Sequence, residues 1–552
     1  MIERQQRLNG KMALAVIGVA CLCATGVWAK DFRVYGKPPL GAFGIDTLED
    51  VSAGARLGMT LVFSYSSESA RKQLDLNSPT GQAIAAAKMQ VMYPLAGRFT
   101  QVRLAGEVKP EDTTISVSAP DWSAVRAFPD AGVLMIEGER IEYKARTAEA
   151  FTGCVRGTGG TKPARHPVGL LICDSEGLKK EILAVKDSPN LWGYWLVDDA
   201  REMELDSLRE MSRVVRENDR NAKGKPNPHI IVVGIGGMTA MANFDRDICD
   251  AIGVYLYPYH KGQLDAHTRA QMNYIYQRAK SLDSDVGIIG IYQAFIDEAP
   301  QWSQMPSPEQ VHEDILSYYD YGAEGLLGYI WHLRRPGLDP WGFDAVPGVR
   351  DVVARTYAEI VAGKVKRDTP KVDRHDWLSI ITGDKAAPSK GAPPLCDLTD
   401  AAKLTQLIKD CPRYTSAEAF SQAGQSYPLK VSFPAYTVGD PDGDRWPIAQ
   451  FAGASLSDTA WTGTRALEQP IYNASGETLC LWITIEDTDG GEWTRSSVQI
   501  PPGTPVLLRV SLDEVRICVN LQKIKRWMLW ESHPPRKAEF HLGSPVLAGK
   551  KR

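Results

Sequence analysis

From residue 40 onward, short runs of apolar residues alternate with segments in which apolar positions recur every three or four residues. The runs at 40–45, 60–65, 88–95, 192–197, 229–235, 251–257, 286–292 and 326–331 are predominantly apolar, which predicts strands buried on both faces. The segments 48–57, 79–87, 175–187, 201–217, 266–282, 308–321 and 347–362 carry helical periodicity, and Gly58 offers a C-cap to the first. Strands alternating with helices over short connections predict a parallel sheet. Eight such strands, in a span that falls to about 250 residues without 103–172, predict a (β/α)8 TIM barrel over 31–363.

The rhythm breaks between 103 and 172. Thr113–Ser118, Val133–Ile136 and Arg140–Lys144 read as short strands separated by Pro and Gly, which predicts an inserted all-β module. Residues 364–394 are rich in Lys, Pro, Ala and Gly and read as a linker. From 395 to 548 the pattern becomes all-β, with strands at 429–433, 479–486, 497–500 and 506–510, which predicts a β-sandwich. The fold class is therefore α/β, a barrel with an inserted small β-domain and a C-terminal sandwich.

The N-terminus reads as an export signal over 1–29. Arg4, Arg7 and Lys11 precede an apolar core from Met12 to Ala24, and Val27 and Ala29 are the small residues wanted before a cleavage site. An exported protein with no stable membrane span after cleavage is expected, either periplasmic, on the outer surface or secreted. Export permits disulfides, and the cysteines neighbour one another as Cys154 with Cys173, Cys396 with Cys411 and Cys480 with Cys518, leaving Cys249. No cysteine and histidine spacing suits zinc, and neither metal nor cofactor is expected. Basic and acidic residues nearly balance at 63 and 67, which argues against a nucleic-acid partner. The 14 Trp and 20 Tyr suit sugar rings as well as cores.

Barrel chemistry gathers at strand C-termini. Those ends carry Asp46, Tyr65, the pair Asp198 and Asp199 with Glu202 beyond, Tyr257, Tyr259 and His260, Gln293 with Asp297 and Glu298 beyond, and Trp331 with His332. Two carboxyl groups across a sugar can hydrolyse a glycosidic bond, and adjacent acids in a partly dry site push one pKa upward, as a proton donor needs. Asp199 is the first candidate for general acid, supported by Asp198 or Glu202, with Asp297 or Glu298 as partner. The structural alternatives are an Asp198 pair with Arg201, an Asp199 helix cap, tyrosines at 257 and 259 packed under a loop, a hydrogen-bonded rim His332 and an Asp46 cap. No GxSxG esterase motif occurs, and Gly234-Ile235-Gly236-Gly237 reads as a tight turn.

Gly193-Tyr194-Trp195-Leu196-Val197-Asp198-Asp199 resembles the fourth strand of retaining glycoside hydrolase barrels, which ends in the acid/base glutamate. Asp250 to Tyr259 resembles their sixth strand, and Gly322-Ala323-Glu324-Gly325 leading to Trp331 resembles their last strand with its substrate-stacking Trp. The resemblance implies Asp199 at the acid/base position. It places Gln293 where the nucleophilic glutamate belongs, and a Gln cannot serve there. Gly132 to Tyr143, with Arg156 to Thr161 and His166 to Gly169, resembles a small β-domain of phage-tail and polysaccharide-associated proteins. Leu395 to Asp400, Pro428 to Phe433, Thr478 to Asp487 and Pro501 to Thr504 resemble jelly-roll carbohydrate-binding modules. There Trp446 and Trp461 are the expected ligand contacts and Trp482 is expected to be buried.

The expectation is an exported glycoside hydrolase, a glycosidase acting on a poly- or oligosaccharide by carboxylate general acid/base chemistry. The alternatives are a non-catalytic glycan-binding protein and a cell-surface structural protein. Asp46, Tyr65, Tyr257, Tyr259, His260, Gln293, Trp331 and His332 are the expected substrate contacts.

Overall fold

The computed structural model describes residues 30–552 except 96–101, 120–124, 126–127, 167–168, 199, 201–204, 239, 242–243, 247, 333–341, 373–377, 436–445, 477, 532–533, 535–536 and 550–552. The expected export signal lies outside the described residues. Phe32–Arg552 forms one compact unit.

Eight parallel strands close into a barrel: β1 (Leu40–Phe43), β2 (Leu61–Phe63), β3 (Gln90–Pro94), β4 (Leu191–Val197), β5 (Ile230–Ile235), β6 (Ala251–Val254), β7 (Gly287–Gln293) and β8 (Gly325–Tyr329). All eight overlap the predominantly apolar runs. Each strand feeds two cores, which is why its sequence does not alternate. Phe43, Leu61, Phe63, Met92, Trp195, Val232, Ile289 and Ile291 fill the inside, while Leu40, Val62, Val91, Tyr194, Val233 and Tyr292 meet the helices. The helices are α1 (Leu48–Arg56), α2 (Ser67–Leu74), α3 (Pro79–Ala86), α4 (Ser175–Val185), α5 (Leu205–Asn218), α6 (Ala266–Leu282), α7 (Pro308–Asp320) and α8 (Pro347–Val361). Their starts follow capping chemistry: Thr47 and Asp50 form a capping box on α1, and Ser307 and Gln310 form one on α7 with Pro308 at its first position. Helix α2 has a polar, Ser- and Arg-containing sequence and escapes the periodicity rule, although Ser66 caps it.

One side chain dominates the barrel interior. Trp195 is fully buried and lies across β5 and β6, where glycines make room for its indole. A Cβ at Gly253 would stand 2.6 Å from Cη2 and Cζ3 of Trp195, and one at Gly234 would stand 2.7 Å from Cζ2. Gly253→Val is therefore expected to lower the stability by about 1–3 kcal/mol, as overpacked cores do. The urea midpoint checks this, and an unchanged midpoint would show that the indole is free to yield.

The 103–172 stretch holds two antiparallel sheets. One pairs Gly132–Ile136, Glu139–Tyr143 and Val155–Thr158, and the other pairs Arg103–Leu104, Thr114–Ser118, Ala150–Thr152 and Ala145–Arg146. They share a core of their own around Leu134, Ile136, Ile141 and Phe151. The motif residues here hold the module together. Burial pushes the Glu139 carboxyl upward, but the bidentate Arg156 guanidinium, the Ala164 N–H and His166 outweigh it and hold the pKa below the usual range.

Past residue 378 all sheets are antiparallel. A seven-stranded sheet runs in the order Leu378–Thr382, Pro505–Ser511, Ala466–Asn473, Ala538–Leu542, Leu429–Phe433, Thr415–Ala417, with Val546–Ala548 alongside Ala466–Asn473. A four-stranded sheet orders Ile448–Ala452, Ile524–Trp530, Leu479–Asp487 and Glu492–Ile500. The linker expectation over 364–394 needs correction, since Leu378–Thr382 pairs with Pro505–Ser511. Its β-branched Ile380 and Ile381 win a strand inside a Pro- and Lys-rich stretch. This region touches the barrel through Tyr274 of α6, whose hydroxyl donates to Glu514 at 2.9 Å, and through Cys518, whose sulfur lies 3.4 Å from that of Met238. Cys154, Cys396, Cys411 and Cys518 carry free thiols, at least one in each of the three neighbouring pairs. Among the described residues no helix is long and apolar enough to cross a membrane.

Candidate active site

At the C-terminal mouth of the barrel a cavity of about 210 Å³ is lined by Phe43, Tyr65, Trp195, Asp198, Tyr255, Tyr257, Ile291, Phe295, Asp297, Trp302 and Tyr329. Strand irregularity puts Asp198 there. Along β4, Trp192 and Trp195 face inward and Tyr194 outward, but Leu196 and Val197 both pack in the outer core. The register with β5 shifts between Trp195 and Val197, so two consecutive residues share one face. That extra residue turns Asp198 into the barrel mouth, where strict alternation would have pointed it at the helices. The Tyr255 hydroxyl donates to Asp198 Oδ1 at 3.4 Å.

The walls are aromatic. Tyr257 stacks on Tyr329 with centroids 5.5 Å apart, and Phe295 stands nearly perpendicular to both at 4.8 and 5.2 Å. Trp302, at the end of the short 3-10 helix Pro300–Trp302, closes the side at 5.9 Å from Tyr257. Phe43 and Phe63 support Tyr65. Tyr257 holds a positive φ of 44°, a conformation that costs a non-glycine residue on the order of 1 kcal/mol and gathers at functional sites. Desolvation inside the cavity raises the Tyr65 and Tyr257 hydroxyl pKa values well above the ordinary phenol value, and the Asp198 charge adds to the rise in both. Both hydroxyls therefore stay protonated across the physiological range. The indole N–H groups of Trp195 and Trp302 are buried without a hydrogen-bond partner.

The second acid of the cavity is Asp297, on the loop after β7. Its N–H donates to the Trp302 carbonyl at 2.8 Å, and its Oδ1 accepts from Ala299 N–H at 3.1 Å. Glu298 is exposed and does not line the cavity. Asp199 and Glu202 lie outside the described residues.

The expected sugar contacts divide. Tyr65 and Tyr257 line the cavity. Tyr259 turns away from it: it is buried, its hydroxyl donates to Glu313 at 3.2 Å, and Arg269 lies over its ring. Gln293 is fully buried, and its amide is spent on one backbone. Oε1 accepts from Tyr259 N–H at 2.9 Å and Nε2 donates to Tyr259 O at 3.0 Å. Trp331, expected as a stacking platform, is buried against Phe343 with its indole donating to Asp50 at 3.0 Å. Tyr329, two residues earlier, lines the cavity. His260 sits beside Trp302, with ring centroids 6.4 Å apart, and His332 is held by Asp344 at 3.0 Å; neither lines the cavity. Asp46 is exposed and accepts from the Ser64 hydroxyl, and the cap of α1 is Thr47 instead.

Tyr255, Trp302, Phe295 and Tyr329 were not singled out from sequence. Tyr255 and Tyr257 stand two apart, a spacing that puts both rings on one side of an extended chain. Among the described residues no group of three or more His, Cys, Asp and Glu could hold a metal ion.

In the C-terminal all-β region the tryptophans are also redistributed. Trp461 is fully buried and donates to the Asp458 carbonyl at 3.1 Å. Leu481, Ile483 and Ile485 face the core, so Trp482 falls on the opposite face, half-buried against Trp530 with ring centroids 4.5 Å apart. Trp446 is 41% exposed.

No family model matches the chain. No curated protein matches it. Among solved structures, the β-galactosidase of the Antarctic haloarchaeon Halorubrum lacusprofundi is similar at 12% identity and a TM-score of 0.35, covering 58% of this chain and 57% of that one. A β-galactosidase from the psychrophilic Marinomonas ef1 shows 12% identity and a TM-score of 0.35, covering 58% and 59%. A pyruvate kinase from Cryptosporidium parvum shows 14% identity and a TM-score of 0.29, covering 58% and 69%. The chain thus spans less than two thirds of either β-galactosidase it matches.

Proposed function

We propose that the protein is an exported glycoside hydrolase and that Asp198 is its proton-transferring acid. The observation that carries this is the meeting of two carboxylates, Asp198 and Asp297, in one aromatic-walled cavity at the C-terminal mouth of the barrel. Stacked rings suit the apolar face of a pyranose. The cavity is smaller than the roughly 300–1,000 Å³ of drug-sized sites, which fits a single sugar ring. Asp198 protonates the departing glycosidic oxygen, and Asp297 takes a proton from the attacking water or attacks the anomeric carbon itself. Purified protein incubated with a panel of polysaccharides should release reducing ends. Absence of product with every substrate, together with sugar binding, would replace hydrolysis by recognition.

That second reading has its own observation. Gln293, at the position where the glycoside hydrolase resemblance expects the nucleophile, is locked onto the backbone of Tyr259. A barrel that binds glycan without cleaving it needs no carboxylate there.

The outer face of the four-stranded sheet is proposed as a second sugar contact. Trp530 is oriented by its indole donating to Thr484 at 3.0 Å, so the Trp482–Trp530 pair presents a fixed aromatic surface. Trp482→Ala is expected to weaken polysaccharide retention in affinity electrophoresis about tenfold. Unchanged retention would leave the sheet a structural element.

A further inference from the structure

We propose that Gln293 is a positioning residue whose amide, clamped on the backbone of Tyr259, holds the two loops that carry Tyr257 and Trp302 into the cavity wall, a role that rests on the cavity being a saccharide site. Tyr257 shows why a clamp is needed. A non-glycine residue at positive φ persists only where its surroundings over-determine it, and Tyr257 is held at 44°. Two residues further on, Gln293 grips both backbone groups of Tyr259, at 2.9 and 3.0 Å. Gln293 is itself anchored. It lies fully buried at the end of β7, and its N–H donates to Asp314 at 2.8 Å. Arg269 meets the other oxygen of Asp314 at 3.1 Å and also lies over the Tyr259 ring.

The grip passes on to the next loop. Tyr259 opens a hairpin, Tyr259–His260 against Gln263–Leu264, which is closed by Asp265 N–H donating to the Pro258 carbonyl at 2.7 Å. At its tip, Lys261 N–H donates to the Gln301 carbonyl at 2.8 Å. Gln301 precedes Trp302, whose own carbonyl accepts from Asp297 N–H at 2.8 Å. One buried amide therefore sets the tyrosine of one wall and, through the hairpin, the indole of the next. An amide fixes a backbone through an acceptor and a donor at once, which an ionised carboxylate lacks the donor to do. The side chain that stands at the nucleophile position of the glycoside hydrolase resemblance thus shapes the subsite from behind its wall.

The test uses the full chain. Gln293→Met keeps the bulk of the side chain and removes both bonds to Tyr259. Hydrogen exchange read by mass spectrometry follows the peptides that hold Lys261 and Trp302. Both should exchange about tenfold faster than in the parent, because the loops open without global unfolding. Ile182→Ala is the control, a truncation of a fully buried residue on α4 that lowers stability and should leave both peptides within about twofold. On the polysaccharide of the reducing-end panel that the parent cleaves fastest, well below the unfolding temperature, Gln293→Met should lower kcat/KM about tenfold and Ile182→Ala should keep it within about twofold. Gln293→Asn, whose amide is withdrawn by one methylene, should reproduce the pattern and replaces the thioether variant if that one does not fold. Unchanged exchange, or equal acceleration in Ile182→Ala, overturns the clamp. Faster exchange with kcat/KM unchanged overturns the positioning role. A parent that cleaves none of the panel removes the hydrolase reading, and the exchange alone then upholds or overturns the clamp.

Discussion

Asp198→Asn is expected to lower turnover by about 10²- to 10⁴-fold, the range for loss of a positioned proton donor. Substrate binding should change far less, because an amide occupies the same space and still accepts from the Tyr255 hydroxyl. The effect should therefore fall on kcat rather than KM, as for a group acting chiefly in the transition state. The expectation rests on how β4 ends. The shift in pairing with β5 leaves Leu196 and Val197 on the outer face and delivers Asp198 to the cavity. Thermal stability should stay within the small range of surface changes, because Asp198 is only half-buried. The paired measurement is Asp199→Asn. If that variant loses more activity than Asp198→Asn, the proton donor is the neighbour, and the glycoside hydrolase resemblance of the sequence had named it correctly.

The barrel was readable because its strands obey one physical rule. A strand with helices outside and a packed interior is apolar at nearly every position, and eight such runs stand out against amphipathic helices. The site was readable only in outline. Strand ends marked Asp198, Tyr65, Tyr257 and Asp297, with Asp199 put first as the acid, but periodicity says nothing of the bulge that turns Asp198 into the cavity. Nor could it tell that Trp331 would be taken by Asp50 and Phe343 while Tyr329 lined the cavity. Trp461 looked loop-like yet packs at the centre of the C-terminal core, while Trp482 sits in a strand on its outer face. Sequence context separates strand from loop more readily than one face of a strand from the other. The strand at Leu378–Thr382 was hidden by composition, since its partner lies more than a hundred residues away.

Gln293→Glu, which supplies the carboxylate that the resemblance to retaining glycosidases implies at this place, is expected to yield a less stable protein and no gain in turnover. The native amide makes two opposed bonds to one residue, accepting from Tyr259 N–H and donating to Tyr259 O. A carboxylate keeps the first and loses the second, and it sets a negative oxygen against a carbonyl in a fully buried site. Asp314, fully buried and accepting from the Gln293 backbone N–H at 2.8 Å, adds a second acid close by. A buried charge without a partner costs about 3–5 kcal/mol. The protonated acid escapes that cost, because its O–H can donate to Tyr259 O as the amide does. Burial therefore raises the pKa of the introduced carboxyl in the folded state above the unfolded glutamate value of about 4.3. A raised folded pKa means that the variant matches the parent below about pH 4.3 and falls behind as pH rises, until the folded pKa is passed and the penalty levels off. Urea midpoints of the two proteins at pH 4 and pH 7.5 measure this directly. Equal midpoints at pH 7.5, or a new hydrolytic activity, would show that residue 293 can turn into the cavity, and the lock on Tyr259 would then be no barrier to catalysis from that position.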